Sequence, residues 1–184
     1  MQVGPFGGSV SSQYFASVGV PILKINNITD TGDLDLSELV YLNKDQAKTL
    51  GERYTVYSGD VITAAQATIG RTAIISSEAS GAIISQHLIR IAVNSALCLP
   101  EWLHACFHSP LLLRQIHSVV QGGTRAGLNT NDVRNLLVPL PPLEKQSEFC
   151  AKLRFITEAA QNLEARDAQT IRALKQALQE MAAV

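Results

Sequence analysis

The stretch NLLVPLPPLEKQ, residues 135–146, separates two regions of different composition. Three prolines lie within it, and after Pro142 the chain contains neither proline nor glycine. Because proline lacks a backbone N–H and disfavours helical conformation in the residue before it, a helix can begin here but cannot run through. We therefore predict a globular domain over residues 1–140 and a long helix over residues 141–184, with the paired prolines in its first turn.

The composition indicates a soluble protein with a hydrophobic core. Of 184 residues, 46% are hydrophobic and 17% are charged, and the formal net charge is −1. No uninterrupted apolar run reaches about 18 residues, and no basic flank precedes an apolar run at the N-terminus, so we expect neither a membrane span nor a secretory signal. The three cysteines, Cys98, Cys106 and Cys150, lack framework spacing and predict buried thiols in the cytoplasm rather than disulfides.

The region after the prolines carries apolar residues at alternating spacings of three and four, which is typical of a coiled-coil seam. The register passes through Asp167, which predicts a local stutter. The predicted seam consists of Leu153, Ile156, Ala160, Leu163, Ile171, Leu174, Leu178 and Met181.

The predicted length of this helix limits what can cover its seam. At about 1.5 Å per residue, roughly 40 residues form a rod on the order of 60 Å, longer than a domain built from the rest of the chain. We expect the seam to pair with a second copy, giving a homodimer, or with a partner's helix. The alternative is a long helix packed on its own domain.

Residues 1–140 predict an α+β domain with a β core. Short β-branched runs end in turns rich in Gly, Asn, Asp and Ser. Strands are predicted at Val20–Ile28, on both sides of the turn Ser58–Asp60, and in TAIISS, GAIISQHLIRIAV and NLLVPL. Helices are predicted at Ser37–Leu50, with Asn43 as a cap, and at Pro100–Gln121.

Candidate catalytic and metal-binding groups are sparse. His104 and His108 lie four apart, a spacing that can hold a metal, but no further ligand cluster lies nearby in the sequence. Ser85 and His87 lack a nucleophile elbow, and neither glycine-rich stretch ends in the Lys-Ser/Thr of a phosphate loop. We expect no catalytic residues, no metal and no cofactor; a small enzyme using these histidines remains the third hypothesis.

Several loops are rich in groups that can bind DNA. Asn, Gln and Arg pair with base edges, while hydroxyls, lysines and backbone amides hold phosphates. The candidates from these loops are Gln13, Tyr14, Lys24, Asn26, Asn27, Gln66, Arg71, Thr124, Arg125 and Asn129. Residues 61–134 also carry more arginine than carboxylate, which favours a modest basic face despite the neutral total. Polar loops are common on any surface, so these residues alone leave other functions open.

The order of the sequence motifs favours one of these functions. GPFGGSV, GVPILKINNIT, YSGDVITAAQATIGRTAII, ISQHLIRIAV and GGTRAGLNTNDVRNLLVPLPPLEKQ precede the long helix in that order. This arrangement resembles the specificity (S) subunits of type I restriction–modification systems. The resemblance runs from about Gly4 to the C-terminus, and its strongest element is LLVPLPPLEKQ.

The resemblance implies a target-recognition domain that reads one half of a split double-stranded DNA site, followed by a spacer helix. It also implies scaffolding of adenine methyltransferase subunits, with a restriction motor subunit as a further partner, and no catalysis by the chain itself. Within this framework we expect phosphate contacts from Lys24, Arg71, Thr124 and Arg125. We expect base contacts from Gln13, Asn26, Asn27 and Gln66.

The chain departs from that family pattern by carrying one recognition domain and one helix, half of the usual arrangement. It also lacks the short stretch that normally precedes GPFGG. A natural half-subunit, a truncated product and a recognition domain cut from a larger polypeptide all remain open. A half-subunit acting alone would form a twofold homodimer on a palindromic split site. A coiled-coil interaction module without a DNA role is the rival hypothesis.

Overall fold

The computed structural model describes residues 1–122 and 127–182; within the last helix, the side chains at 173, 174 and 176–182 are not described. The chain divides into two compact units, Met1–Leu143 and Glu144–Val184. The strands are β1 Gln2–Val3, β2 Phe15–Ala16, β3 Val20–Leu23, β4 Val40–Leu42, β5 Val61–Ala64, β6 Thr72–Ile74, β7 Ile83–Ile84 and β8 Leu88–Ile91. The helices are α1 Lys44–Leu50, α2 Pro100–Phe107, α3 Pro110–Gly122, α4 Thr130–Arg134 and α5 Leu143–Ala182.

The strands of the first unit form two four-stranded sheets. Sheet A has the order β1-β8-β5-β6 and is antiparallel throughout. Sheet B has the order β2-β4-β3-β7, with β3 and β7 parallel and the other pairs antiparallel. With α5 following this domain, the α+β fold predicted from the sequence is confirmed.

Sheet A lies in the middle of the first unit, covered on both faces. Successive side chains of a strand point to opposite faces. On β5, Val61 packs in a core with Phe107 of α2, while the next residue, Ile62, packs in a second core with Leu23 of sheet B. Because both faces are buried, β5 is apolar along most of its length instead of alternating with polar residues.

A third, smaller core lies on sheet B. Ile22, Leu42 and Ile83 form its buried centre, and Ala47 and Leu50 of α1 pack against it. Asn43 caps α1 as predicted, accepting the Gln46 N–H at 2.8 Å. Residues 40–42 form β4, so the predicted helix over 37–50 was too long: pairing with β2 and β3 overrides the helical pattern there.

The region predicted as one helix over Pro100–Gln121 is helical, but it forms two helices instead of one. Pro100 occupies the first turn of α2, as expected. The helix ends at Phe107 and a second helix begins at Pro110. Pro110 lacks the N–H that a continuous helix would require, and its ring would clash with the preceding turn.

Two strand predictions were also wrong in extent. The strand from Val20 ends at Leu23, because the chain turns into a 3₁₀ turn over Ile25–Asn27. Before the Ser58–Asp60 turn there is only an isolated bridge from Thr55 to Ile83.

The NLLVPL run forms no strand in the described structure. Instead, the Leu137 N–H donates to Gln115 Oε1 at 2.9 Å, and Gln115 Nε2 donates to the Leu137 carbonyl at 3.2 Å. The Gln115 side chain of α3 therefore provides the backbone hydrogen bonds at Leu137 that a neighbouring strand would otherwise provide.

Helix α5 is continuous from Leu143 to Ala182. It begins after both prolines of the pair, not within them, because Pro142 disfavours helical conformation at Pro141. Among the described residues, no helix is both long enough and apolar enough to cross a membrane.

Candidate nucleic-acid interface

Four segments meet at one edge of sheet A. Because neighbouring strands are antiparallel, β1 and β5 end at the edge where β6 and β8 begin. The loops at this edge are residues 4–8, 65–71 and 85–87. We call these three loops, together with residues 127–129, the polar edge.

Close backbone packing holds the first loop of the polar edge in place. The Gly4 N–H donates to the Leu88 carbonyl at 3.0 Å. A Cβ built on Gly4 would lie 1.9 Å from the Ser85 carbonyl oxygen, and one on Gly7 would lie 2.8 Å from Gln86 Oε1. Glycine at position 4 is therefore a requirement of the contact between residues 4–8 and 85–87.

The other loops are joined through Ala65. Its N–H donates to the His87 carbonyl at 2.8 Å, and its own carbonyl accepts the Leu128 N–H at 2.8 Å. Gly127 has a φ of +153°, and a Cβ on it would lie 2.6 Å from the Ala65 carbonyl oxygen. The chain leading into α4 is thus part of the polar edge.

Three side chains on the polar edge carry groups suited to reading bases. Gln66 is exposed, and it precedes Ala67, which has a φ of +59°. Gln86 and His87 are half-buried, and their side chains meet with 2.9 Å between Gln86 Nε2 and His87 Nε2. The sequence reasoning missed Gln86 and considered His87 only as a catalytic base. Only the pairing of β8 with β1 and β5 places them at the same edge as Gln66, and no local sequence signal shows that pairing.

Arg71 joins the polar edge to the loop between β3 and β4. One guanidinium nitrogen donates to the Ile28 carbonyl at 3.1 Å, and another donates to the Asp30 carboxylate. The side chain predicted to contact phosphate is therefore engaged in an intramolecular contact between two loops.

The adjacent asparagines of that loop have different environments. Asn26 is exposed. Asn27 is 6% exposed; its Oδ1 accepts the Lys24 N–H at 2.8 Å, and its Nδ2 donates to the Asp35 carbonyl at 2.9 Å. Asn27 therefore stabilises the loop that presents Asn26. The Lys24 ammonium lies 5.0 Å from the centre of the Phe15 ring.

The histidines considered as metal ligands face a hydroxyl group instead. His104 Nδ1 lies 3.0 Å and His108 Nε2 3.2 Å from Thr72 Oγ1. Burial, with a smaller contribution from His108, lowers the pKa of His104 to about 4, against an opposing effect of Asp33. Burial also lowers the pKa of His108. Among the described residues, no group of three or more His, Cys, Asp or Glu could hold a metal.

Sequence comparison identifies the family to which this arrangement belongs. The profile of the type I restriction modification DNA specificity domain matches residues 10–172. The chain belongs to this family.

Known relatives of this specificity domain are longer than the chain. The type I restriction enzyme EcoBI specificity subunit of Escherichia coli is 25% identical over 146 residues, covering 79% of this chain and 30% of that subunit. The crystal structure of an HsdS subunit from Thermoanaerobacter tengcongensis matches with a TM-score of 0.65 at 27% identity, covering 80% of this chain and 38% of that one. A structure titled for complex assembly and conformational transition of the type I R-M system matches with a TM-score of 0.67 at 25% identity, covering 84% and 40%. The chain thus spans less than half the length of these relatives.

The remaining predicted contacts of the specificity domain lie elsewhere or outside the described structure. Gln13 is exposed, and Tyr14 is half-buried; the Tyr14 carbonyl accepts the Asn43 N–H at 2.9 Å, which ties this segment to the start of α1. Asn129 caps α4, accepting N–H groups of the helix at 2.7 and 3.0 Å. Thr124 and Arg125 lie outside the described residues.

The predicted seam of α5 is solvent-exposed over its described part. Leu153 is 39% exposed, Ile156 62%, Leu163 61% and Ile171 52%. Ala160 is exposed as well, and the side chains of Leu174, Leu178 and Met181 lie outside the described structure. Phe155, which the seam prediction omitted, is 73% exposed. The stripe of the specificity domain's helix is therefore open on the surface of this chain.

Proposed function

We propose that this chain reads one half of a split DNA site through its polar edge and is not itself an enzyme. Family membership supports a role in DNA specificity. The observation that carries the proposal is the convergence of four strand ends on one edge of sheet A, where the loops that carry Gln66, Gln86 and His87 are joined by a backbone hydrogen bond.

The groups on the polar edge suit both parts of DNA recognition. Glutamine amides can form paired hydrogen bonds with adenine, and an imidazole can donate to or accept from a base edge. Gly8 leaves its backbone approachable by phosphate, since nothing lies within 4 Å of a Cβ built on it. Arg71 adds positive charge while it holds the neighbouring loop, from which Asn26 reaches solvent.

We propose that α5 is the spacer and assembly element. An exposed apolar stripe at alternating three- and four-residue spacing is suited to pairing with another helix. Pairing of two copies would give a homodimer with two polar edges, and the same assembly would carry adenine methyltransferase subunits and, where present, a restriction motor subunit. A rod of tens of ångströms would then separate the half-sites by more than about 34 Å, one turn of DNA.

The proposal is tested by DNA binding in the assembled complex. The chain, together with its cognate methyltransferase subunits, would be used to select duplexes from a randomised pool. Affinity for the selected site would then be measured by fluorescence anisotropy over a range of salt concentrations. We expect enrichment of a defined half-site and an affinity that falls steeply with salt. Failure to enrich any sequence would contradict the proposal.

Two glutamines provide a matched pair for locating the surface. Gln66→Ala should weaken binding to the selected site by about 1–3 kcal/mol and relax specificity at one position. Gln13 was also predicted from the sequence as a base contact, but it is exposed on the segment tied to α1, outside the polar edge, so Gln13→Ala should leave affinity within about 0.5 kcal/mol. The reverse ranking would move the DNA surface away from the polar edge.

A further inference from the structure

A short acidic turn, Thr29–Asp33, lies in the loop that Arg71 holds. The Thr29 hydroxyl oxygen accepts the Asp33 N–H at 2.9 Å, and the Thr29 carbonyl accepts the Gly32 N–H at 3.1 Å. The Thr31 hydroxyl donates to Asp33 Oδ2 at 2.8 Å. These bonds make the turn a preformed unit, so it can pack or separate as one piece.

The turn packs directly on the imidazole of His104. Gly32 has a φ of +86°, and a Cβ built on it would lie 2.6 Å from His104 Cε1 and 3.1 Å from His108 Nε2. The centres of the two imidazole rings are 4.7 Å apart. Beneath them, Thr72 is fully buried and faces both rings. Gly32 therefore closes the outer side of a cluster whose inner side is a buried hydroxyl.

Proton counting shows why this cluster favours neutral histidines. The Thr72 hydroxyl has one hydrogen to donate, and one of the two imidazoles must accept it. A single protonation can be accommodated if the other imidazole accepts this hydrogen, but protonating both rings leaves the buried hydroxyl hydrogen without an acceptor in the cluster. Protonating both rings would also place two positive charges against each other.

The charged groups placed against the pair do not reverse this preference. Asp33 favours the charged form of His104, but burial and the neighbouring His108 outweigh it. Asp30, which lies on the same turn, forms a salt bridge with Arg71. Since burial lowers the pKa of both imidazoles, acid favours states in which they are more exposed to water, and separation of the turn that covers them through Gly32 is such a state.

We propose that His104, together with His108 and Thr72, is a pH-sensitive positioning group that holds the acidic turn in place while neutral and releases it when protonated. This goes beyond DNA reading and does not depend on it. Its consequence for DNA rests on the proposed function: release of the turn would disturb the Arg71 contacts that order the loop presenting Asn26.

Amide hydrogen exchange in the full chain tests the proposal without DNA. Exchange of the Gly32 amide would be followed by NMR between pH 7 and pH 4, corrected for intrinsic rates and compared with Ile62 in β5. We expect Gly32 protection to fall by up to about tenfold for each pH unit between 6.5 and about 4, the ordinary and the folded pKa of His104, while Ile62 stays protected. The His104 Cε1–H resonance should titrate at the lower end of this range.

Substitutions separate this mechanism from general acid sensitivity. The double variant His104→Gln/His108→Gln keeps neutral hydrogen-bonding side chains and should lose the pH dependence of Gly32 exchange. His117→Gln, at an exposed histidine of α3, should leave it unchanged. Constant Gly32 protection in the parent chain while His104 titrates would overturn the proposal, and this readout remains available if the double variant does not fold.

Discussion

Arg71 and Asp30 form a salt bridge that joins the start of β6 to the loop after β3. The same guanidinium donates to the Ile28 carbonyl. Two predicted recognition segments, distant in sequence, are thus fixed to one another by a single side chain whose planar group can address two acceptors at once.

The first prediction separates loop positioning by Arg71 from a simple charge effect on DNA. Arg71→Lys keeps the positive charge but cannot reproduce both hydrogen bonds. We expect it to lower the free energy of unfolding by about 1–2 kcal/mol and to weaken DNA binding nearly as much as Arg71→Ala. Urea denaturation and anisotropy would measure the two effects. Full DNA affinity in Arg71→Lys would show that only charge matters at this position.

The second prediction uses two adjacent asparagines as controls for each other. Asn27→Ala should lower the free energy of unfolding by about 2 kcal/mol, because it removes a buried amide that is hydrogen-bonded to the Lys24 N–H and the Asp35 carbonyl. Asn26→Ala should change stability by less than about 0.5 kcal/mol, because Asn26 is exposed. We expect Asn26→Ala to weaken DNA binding instead. Equal effects of the two substitutions on stability would contradict the described loop.

The third prediction concerns the stripe on α5. Leu163→Asp places a charge in the seam, whereas Asn162→Asp places the same charge on the adjacent, non-seam position. We expect the first to abolish self-association in analytical ultracentrifugation and the second to leave it intact. Leu163→Pro should also abolish self-association, since proline costs about 3 kcal/mol or more within a helix. An unchanged mass in all three variants would refute pairing through this stripe.

The fourth prediction concerns the pH dependence of folding. The pKa of His104 falls from 6.5 to about 4 in the folded chain. Between these values the unfolded chain binds more protons than the folded chain, so stability must fall as pH drops from 6.5 towards 4. Urea denaturation at a series of pH values should show this loss, and His104→Gln should flatten it. His117→Gln is the matched control and should retain the full slope.

The sequence predicted features that depend on local chemistry. Helix α2 begins at Pro100, and α5 begins one residue after Pro142. Asn43 caps α1 through its own side chain. The ordered motifs led to the correct family. Each of these signals is contained within a few neighbouring residues.

Features that depend on distant pairing could not be predicted in the same way. Asn26 and Asn27 look alike in the sequence, and only the position of the Asp35 carbonyl decides which of them is buried. Gln86 and His87 became part of the polar edge because β8 pairs with both β1 and β5. Strand alternation gives the face of each residue but not the partner of each strand.

The pairing of β1 with β8 has a consequence for synthesis of the chain. Gln2 pairs with Arg90 and Val3 with Ile89. During synthesis, β1 therefore cannot pair until β8 has left the ribosome. Contacts between such distant residues slow folding. Removing the first residues would leave the outer side of β8 with unpaired N–H and C=O groups, the kind of open strand from which aggregation starts.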